Sequence, residues 1–338
     1  MESLKPKFGL LRFSQRILLW SVVLILCLSS WAAAQNIKMT VGQAGINPGT
    51  SLFFIAEKEK LYAKHGLDVN VIRTSTPSAV QAMLGGTMQL CTGCGSGAFV
   101  TATLEGAPPF ILVSSWINVF PYIVMAHKDI KRPEDLKGKT GHVGSPFGTA
   151  PDIALRFALA KLGIDPEKDV NLVQSARPDM ANLVAQMERG DVQFGPLAPP
   201  FDRVALKRGF RVLFSLPELG IPWQNNGELL PRAYLQKNRD TVLRFVRATA
   251  DAMKVFYEQK DKTVGYLMEF LGSNREDTEY AYEVYKKWAD RTPRPKTEGI
   301  RTMFEAIKAK TPKAAGADPA PFIDTSLVDQ LVKEGYFR

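Results

Sequence analysis

The chain has 338 residues, 43 of them Lys or Arg against 34 Asp or Glu, for a formal charge of +9, and 45% of it is hydrophobic. The positive excess is spread along the sequence with no block of like charges, which argues against nucleic acid and favours an anionic ligand weakly. Three cysteines cannot staple a fold of this length, and His65, His127 and His142 are far apart without metal-ligand spacing, so neither a metal nor a cofactor is expected.

Lys5, Lys7, Arg12 and Arg16 precede an apolar run from Ile17 to Leu28, and alanines stand at 32 and 34. This pattern predicts a secretory signal peptide over residues 1–34, cut after Ala34, with an uncleaved anchor as the alternative. The run is too short to span a bilayer. The protein is therefore expected to be exported to the periplasm, keeping only Cys91 and Cys94. Its length suffices for two domains.

Short apolar strands then alternate with helical segments, the grammar of an α/β protein with mostly parallel sheets. Strands are predicted at 38–44, 67–75, 88–92 and 110–115, with helices at 52–60, 78–84 and 96–105 between them. The same order restarts after "YIVMAHKDI": a strand leading into "GSPFGTAP", a helix over 150–162, a strand at 170–175 and a helix over 179–189. Further strands follow at 192–201 and 210–216, separated by a short helix. A strand-like piece at 229–238 precedes a tail of helices at 240–258, 262–271, 275–289, 297–309 and 325–334. Two α/β halves with a helical tail suggest two lobes around a cleft. Lobe 1 is expected to be discontinuous (35–125 plus 228–338) and lobe 2 to be 126–227, with hinges near 124–128 and 222–229.

Three segments share one design, in which a strand ends, a turn of small residues follows and a helix begins: "GINPGTS" (45–51), "CGSGAF" (94–99) and "GSPFGTAP" (144–151). Each places small residues and hydroxyls at a helix N-terminus, whose unpaired N–H groups and positive dipole end suit an anion. In open α/β sheets such turns sit at the carboxyl ends of strands, where ligands bind. The same residues also serve as ordinary N-caps and turn formers. No turn has the ending of a phosphate loop.

Cys91 and Cys94 form a Cys-x-x-Cys at the second turn. The spacing admits a redox dithiol, a disulfide or an incidental pair inside a ligand loop, and the ligand-loop reading fits its place best. Trp116 is a candidate flat wall for the cleft, or else a core or hinge tryptophan. Arg177, between a strand and a helix, is a candidate bidentate clamp for an anionic group, or else a solvated loop arginine. No catalytic constellation can be argued from spacing.

"GINPGTSLFFIAEKEKLYAKHGLDVNV" and, more strongly, "RPEDLKGKTGHVGSPFGTAPDIALRFALAKLGIDPEKDVNLV" resemble the nitrate/sulfonate/taurine-type substrate-binding proteins of ABC transporters, a group with thiamine-pyrimidine relatives. "LVAQMERGDVQFGPLAPPF" and "FIDTSLVDQLVKEGYF" are similar too. The resemblance implies a two-lobed type II periplasmic binding fold with a hinged ligand cleft. It implies a protein that captures a small molecule and delivers it to an inner-membrane permease with its ATPase, as a monomer and without catalysis. Ligand contacts would fall on Asn47, Gly49, Thr50, Gly95, Ser96, Ser145, Gly148 and Thr149, with Cys94, Trp116 and Arg177 added from the residue reading. Gln89 stands where the family usually has an acid, which leaves the ligand less defined than the fold. On charge and turns the ligand is expected to be a small organic anion: a sulfonate, a carboxylate or a heteroaromatic acid. The alternatives are a thiamine-pyrimidine-synthesis-like enzyme and a sensor that presents its ligand to a membrane receptor.

Overall fold

The computed structural model describes residues 36–144, 147–174, 180–225 and 227–337. Strand β1 (Ile37–Gln43) buries Met39 and Val41 at alternate positions, as a pleated strand covered on that face must. It leads through a 3₁₀ turn at Pro48–Thr50 into α1 (Leu52–Lys58) and α2 (Leu61–Lys64). Strand β2 (Leu67–Arg73) pairs with β1 in parallel, Ile37 opposite Leu67 through Gln43 opposite Arg73. Helix α3 (Thr76–Leu84) starts at Ser75, whose hydroxyl accepts the Ser78 N–H at 3.3 Å, the usual way to satisfy a first-turn donor. Then come β3 (Leu90–Thr92), α4 (Ser96–Leu104) and β4 (Phe110–Ser114).

The chain next crosses to a second sheet containing β5 (Ile123–Ala126), β6 (Thr140–His142), β7 (Asn171–Val173), β8 (Phe194–Leu197) and β9 (Arg211–Ser215). Helices α5 (Ala150–Lys161), α6 (Met180–Arg189) and α7 (Phe201–Lys207) connect them. It returns to the first sheet as β10 (Glu228–Pro231). The tail is α8 (Arg232–Lys237), α9 (Arg239–Glu258), α10 (Lys260–Leu271), α11 (Arg275–Trp288), α12 (Thr297–Ile307) and α13 (Ser326–Lys333). The strand expected over 229–238 thus stops at Pro231, which has no N–H for a ladder, and a run of helix formers takes over.

The strand orders are β2-β1-β3-β10-β4 and β7-β6-β8-β5-β9. Parallel pairing holds for β1 with β2 and β3, and for β6 with β7 and β8. The expectation of mostly parallel sheets needs correction at one strand in each: β10 runs antiparallel between β3 and β4, and β5 between β8 and β9. Both reversed strands are the first to form after a crossing, so each enters its sheet from the opposite end. The pairing of β5 also puts residues 123–125 with the second sheet. The first crossing is therefore 115–122, ahead of the expected 124–128, and the second is 216–227.

Helices cover both faces of each sheet, which is why strands such as β4 and β5 bury apolar residues on both faces. In β4, Phe110 and Leu112 join one core while Ile111 and Val113 join the other. In β5, Val124 and Ala126 separate from Ile123 and Met125 in the same way. Full burial of one such side chain contributes roughly 1.5–3 kcal/mol. Val242, Phe245, Val246 and Met253 of the tail helix α9 share one core with Met39, Val41 and Leu67, so the tail helps to cover the first sheet. One core is continuous between the sheets through Phe120, Tyr122, Leu216, Ile221 and Trp223 on the two crossings.

Candidate functional site

At the carboxyl end of β1, the first turn closes on itself. The Thr50 hydroxyl donates to the Asn47 carbonyl at 3.0 Å and accepts the Asn47 N–H at 3.3 Å, and the Ser51 hydroxyl donates to the Pro48 carbonyl at 2.7 Å. Trp116 Nε1 donates to the Gly49 carbonyl at 2.7 Å. Its indole is buried and packs edge-on against Phe256, so it buttresses the turn from behind and does not present an open wall. A Cβ on Gly49 would stand 2.9 Å from the Tyr285 ring and 3.0 Å from Asn47 Oδ1, and only glycine fits there. Asn47 Oδ1 is buried and has no hydrogen-bond partner among the described residues.

The second turn is pressed against the first. Gly93 has φ +68°, and a Cβ on it would lie 2.7 Å from the Ala44 carbonyl. Cys91 and Cys94 are joined as a disulfide, both fully buried. A closed, buried pair holds the loop and offers no thiolate to a substrate. The Gly95 N–H donates to Thr76 Oγ1 at 3.2 Å, and the Ser96 hydroxyl donates to the Gln224 carbonyl at 2.5 Å, tying this turn to the second crossing. Beneath it, Glu228 on β10 is buried with three hydroxyls, from Ser114, Thr249 at 3.2 Å and Thr92 at 3.5 Å. No cation offsets its desolvation among the described ion pairs, and burial pushes its carboxyl up to about 7.

At the third turn, the Gly148 N–H donates to Asp152 Oδ2 at 2.7 Å, and Asp152 also pairs with Arg156 at 2.6 Å. Thr149 is the N-cap of α5. The carboxylate thus occupies a donor expected to face a ligand. His142 is buried beside this turn, accepting the Gly144 N–H on Nδ1 at 2.8 Å, and burial lowers its pKa. Ser145 and Arg177 lie outside the described residues.

The two crossings are bonded to each other. Trp223 N–H reaches the Asn118 carbonyl and Asn225 N–H the Ile117 carbonyl, each at 3.3 Å. Gln224 Nε2 donates to Asn118 Oδ1 at 2.8 Å, and the rings of Phe120 and Trp223 stack with centroids 4.1 Å apart. Turns one and two and both crossings therefore form one connected patch at the carboxyl ends of the first sheet.

The sequence reading missed a residue that closes this patch from the tail, and an acid on α7. Tyr285 of α11 presses on Gly49, and its hydroxyl is buried without a partner among the described residues. Burial raises its pKa, and so do the neighbouring Tyr122 and Asp202. Asp202, fully buried in the first turn of α7, accepts the Tyr280 hydroxyl on Oδ2, while its Oδ1 has no partner among the described residues. Burial raises its pKa. Around it, Arg203 and Lys207 pair with Glu276 and Asp277 of α11, with Lys207 and Asp277 at 2.8 Å. The available signals were an acid two residues after "PP" in "LAPPFD" and Tyr282 with Tyr285 on one face of a tail helix.

Two sheets linked by two paired crossings, with glycine-rich turns at the carboxyl ends of their strands, define a binding fold of the periplasmic type. Solved structures agree. A protein from Bordetella bronchiseptica RB50 superposes with a TM-score of 0.72 at 19% identity, covering 89% of this chain and 98% of that one. The periplasmic aliphatic sulphonate binding protein SsuA of Escherichia coli gives 0.68 at 18% identity over 83% and 94%. The periplasmic nitrate-binding protein NrtA of Synechocystis PCC 6803 gives 0.61 at 13% over 89% and 91%. Among curated relatives, YtlA of Bacillus subtilis, provisionally named a binding protein, is 26% identical over 72% of this chain and 73% of its own. A similarly named protein of Brucella abortus is 34% identical over 46% of this chain and 50% of its own length. The NMT1/THI5-like family model matches residues 47–263. The chain belongs to the NMT1/THI5-like family.

Proposed function

We propose that this is the exported solute-binding component of an ABC importer, capturing one small molecule between two lobes and handing it to a membrane permease without chemistry. The lobes are the two sheets with their helices, and the hinge is the bonded pair of crossings. The observation that carries this reading is the convergence of the first two turns, both crossings and Tyr285 at one set of strand ends. Ligands of open α/β sheets bind at such a place, and a double crossing permits closure by a hinge. The names of two structural neighbours, binding proteins for sulphonate and nitrate, and the binding-protein names given provisionally to the curated relatives support it.

The expectation of a small organic anion is supported by the likeness to an aliphatic sulphonate binding protein, while the likeness to a nitrate-binding protein supports an anion without the organic part. The described turns contribute less to it than their composition suggested, since the N–H groups of Asn47, Gly95 and Gly148 are already bonded within the protein. The test is a thermal-shift screen of the exported protein against alkanesulfonates, nitrate, aromatic carboxylates, pyrimidines and flavins. A true ligand at a hundred times its Kd stabilises by about 2.7 kcal/mol. One responding chemical class, confirmed by calorimetry, is expected. Silence across the panel together with turnover of any compound would overturn the proposal.

A further inference from the structure

We infer that the contact between α7 and α11 is a releasable electrostatic latch between the two lobes, which sets the balance of their closed and open arrangements. The inference rests on the binding-protein reading and adds a control on affinity to it. Helix α7 belongs to the second sheet: it follows β8, and its Phe201, Val204 and Ala205 pack with Ile123 and Met125 of β5. Helix α11 belongs to the first, since Tyr282 and Tyr285 are buried in the core that holds Met39 and Val41.

Charged and polar side chains join the two helices. Arg203 pairs with Glu276 and, at 3.5 Å, with Asp277. Lys207 pairs with Asp277 at 2.8 Å and with Glu276 at 3.6 Å. The Tyr280 hydroxyl donates to Asp202 Oδ2, and the Arg203 guanidinium lies over the Tyr280 ring, 5.4 Å from its centroid. Further along α11, Trp288 packs against the cores of both lobes. Glu276, Tyr280 and Trp288 recur at multiples of four, so one face of α11 meets lobe 2 while Tyr282 and Tyr285 fix the helix in lobe 1.

The placement of α11 makes this contact sensitive to hinge motion. Just past its end, the Asp290 N–H donates to the Trp116 carbonyl at 2.8 Å, and Asp290 Oδ2 accepts from Asn118 Nδ2 at 2.7 Å, so the helix starts out from the first crossing. Its 14 residues carry Glu276 and Asp277 about 20 Å away from that hinge. Helix α7 begins at the carboxyl end of β8, and α11 presses on Gly49 in the turn at the carboxyl end of β1, so the contact lies on the ligand side. Lobes turning apart there must separate these partners. The side chains suit repeated release: those of Arg203, Lys207 and Glu276 stay 30%, 47% and 65% exposed, so water takes them back at little cost. One exposed pair would hold almost nothing. Here two cations share two acids, and Asp277, only 9% exposed, is held in place by Asn274 Nδ2 at 2.7 Å.

The test is small-angle X-ray scattering of the free exported protein, as wild type, as Arg203→Glu, and as the exchange Arg203→Glu with Glu276→Arg. Each is measured at low salt and at about 1 M NaCl, where charges are screened beyond about 3 Å. The reversal sets like charges together, so the radius of gyration should rise at low salt, and the exchange should bring it back. High salt should move the wild type towards the reversed variant. The Kd of any alkanesulfonate, nitrate, aromatic carboxylate, pyrimidine or flavin that binds the wild type should rise on the order of tenfold in Arg203→Glu and recover in the exchange. A radius unchanged by reversal and by salt, with a compound still bound equally by all three proteins, overturns the latch and leaves the binding-protein reading in place. An unchanged radius with no compound bound by any of them overturns the latch and counts against that reading too. Should the reversed variant not fold, the wild type decides alone: a radius independent of salt overturns the latch.

Discussion

Replacing Glu228 with Gln should make the protein more stable at neutral and alkaline pH, and leave it unchanged in acid. Glu228 is held with three hydroxyls and, among the described residues, no cation, and its carboxyl is pushed up to about 7 from an ordinary 4.5. Its folded pKa is raised, so the native state binds the proton more tightly than the unfolded chain does. Its contribution is therefore most favourable below pH 4.5 and is lost as pH rises to about 7. At 1.36 kcal/mol for each pKa unit, the loss above pH 7 is about 3 kcal/mol. Glutamine is neutral at every pH and nearly isosteric, and the surrounding hydroxyls can both donate and accept. The assay is the melting midpoint of wild type and Glu228→Gln at intervals from pH 4.5 to 8.5. The gap between them should open in favour of the variant through this window, to roughly 5 °C at pH 8. Comparing the two proteins at each pH removes the titration of every other group. A variant less stable than the wild type at pH 8, or a gap independent of pH, would refute the reasoning.

Gly49→Ala should destabilise by about 1–3 kcal/mol, read from denaturant unfolding, because its Cβ would meet the Tyr285 ring at 2.9 Å with little room to yield. Trp116→Phe should cost about 1–3 kcal/mol by the same measurement, since it leaves the buried Gly49 carbonyl without the indole N–H it accepts at 2.7 Å. Reducing the Cys91–Cys94 disulfide frees a very short loop and should cost about 2 kcal/mol, seen as a lower melting midpoint with a strong reductant present.

The elements were legible in the sequence wherever one physical rule governed them. The wholly apolar run at 110–113 is a strand buried on both faces, and the structure sends its alternate residues to two cores. Turn composition located the strand ends at 45–51 and 94–96, because a glycine pressed against a neighbouring chain leaves a local mark. What the turns do was harder to read. Composition shows that an N–H group is available, but not that Thr50, Thr76 or Asp152 already takes it. The reversed strands were hidden for a related reason, since periodicity reports which faces are covered and says nothing about the end from which a strand enters. Tyr285 and Asp202 were beyond local reading altogether. Each looks ordinary in its own helix, and they become notable only when residues more than eighty positions apart are brought together.

The placement of β10 governs how this chain can be made. Until residue 231 is available, β3 and β4 have no strand between them, and the first sheet has two unpaired edges facing each other. The whole second sheet, and the stretch of chain from 115 to 227, must be synthesised while those edges stay open. Exposed edges of this kind are the sites at which chains pair wrongly. Folding of the two halves is thus ordered by connectivity: the part begun first is finished last, and the N-terminal half made alone would be a fragment with an open gap in its sheet.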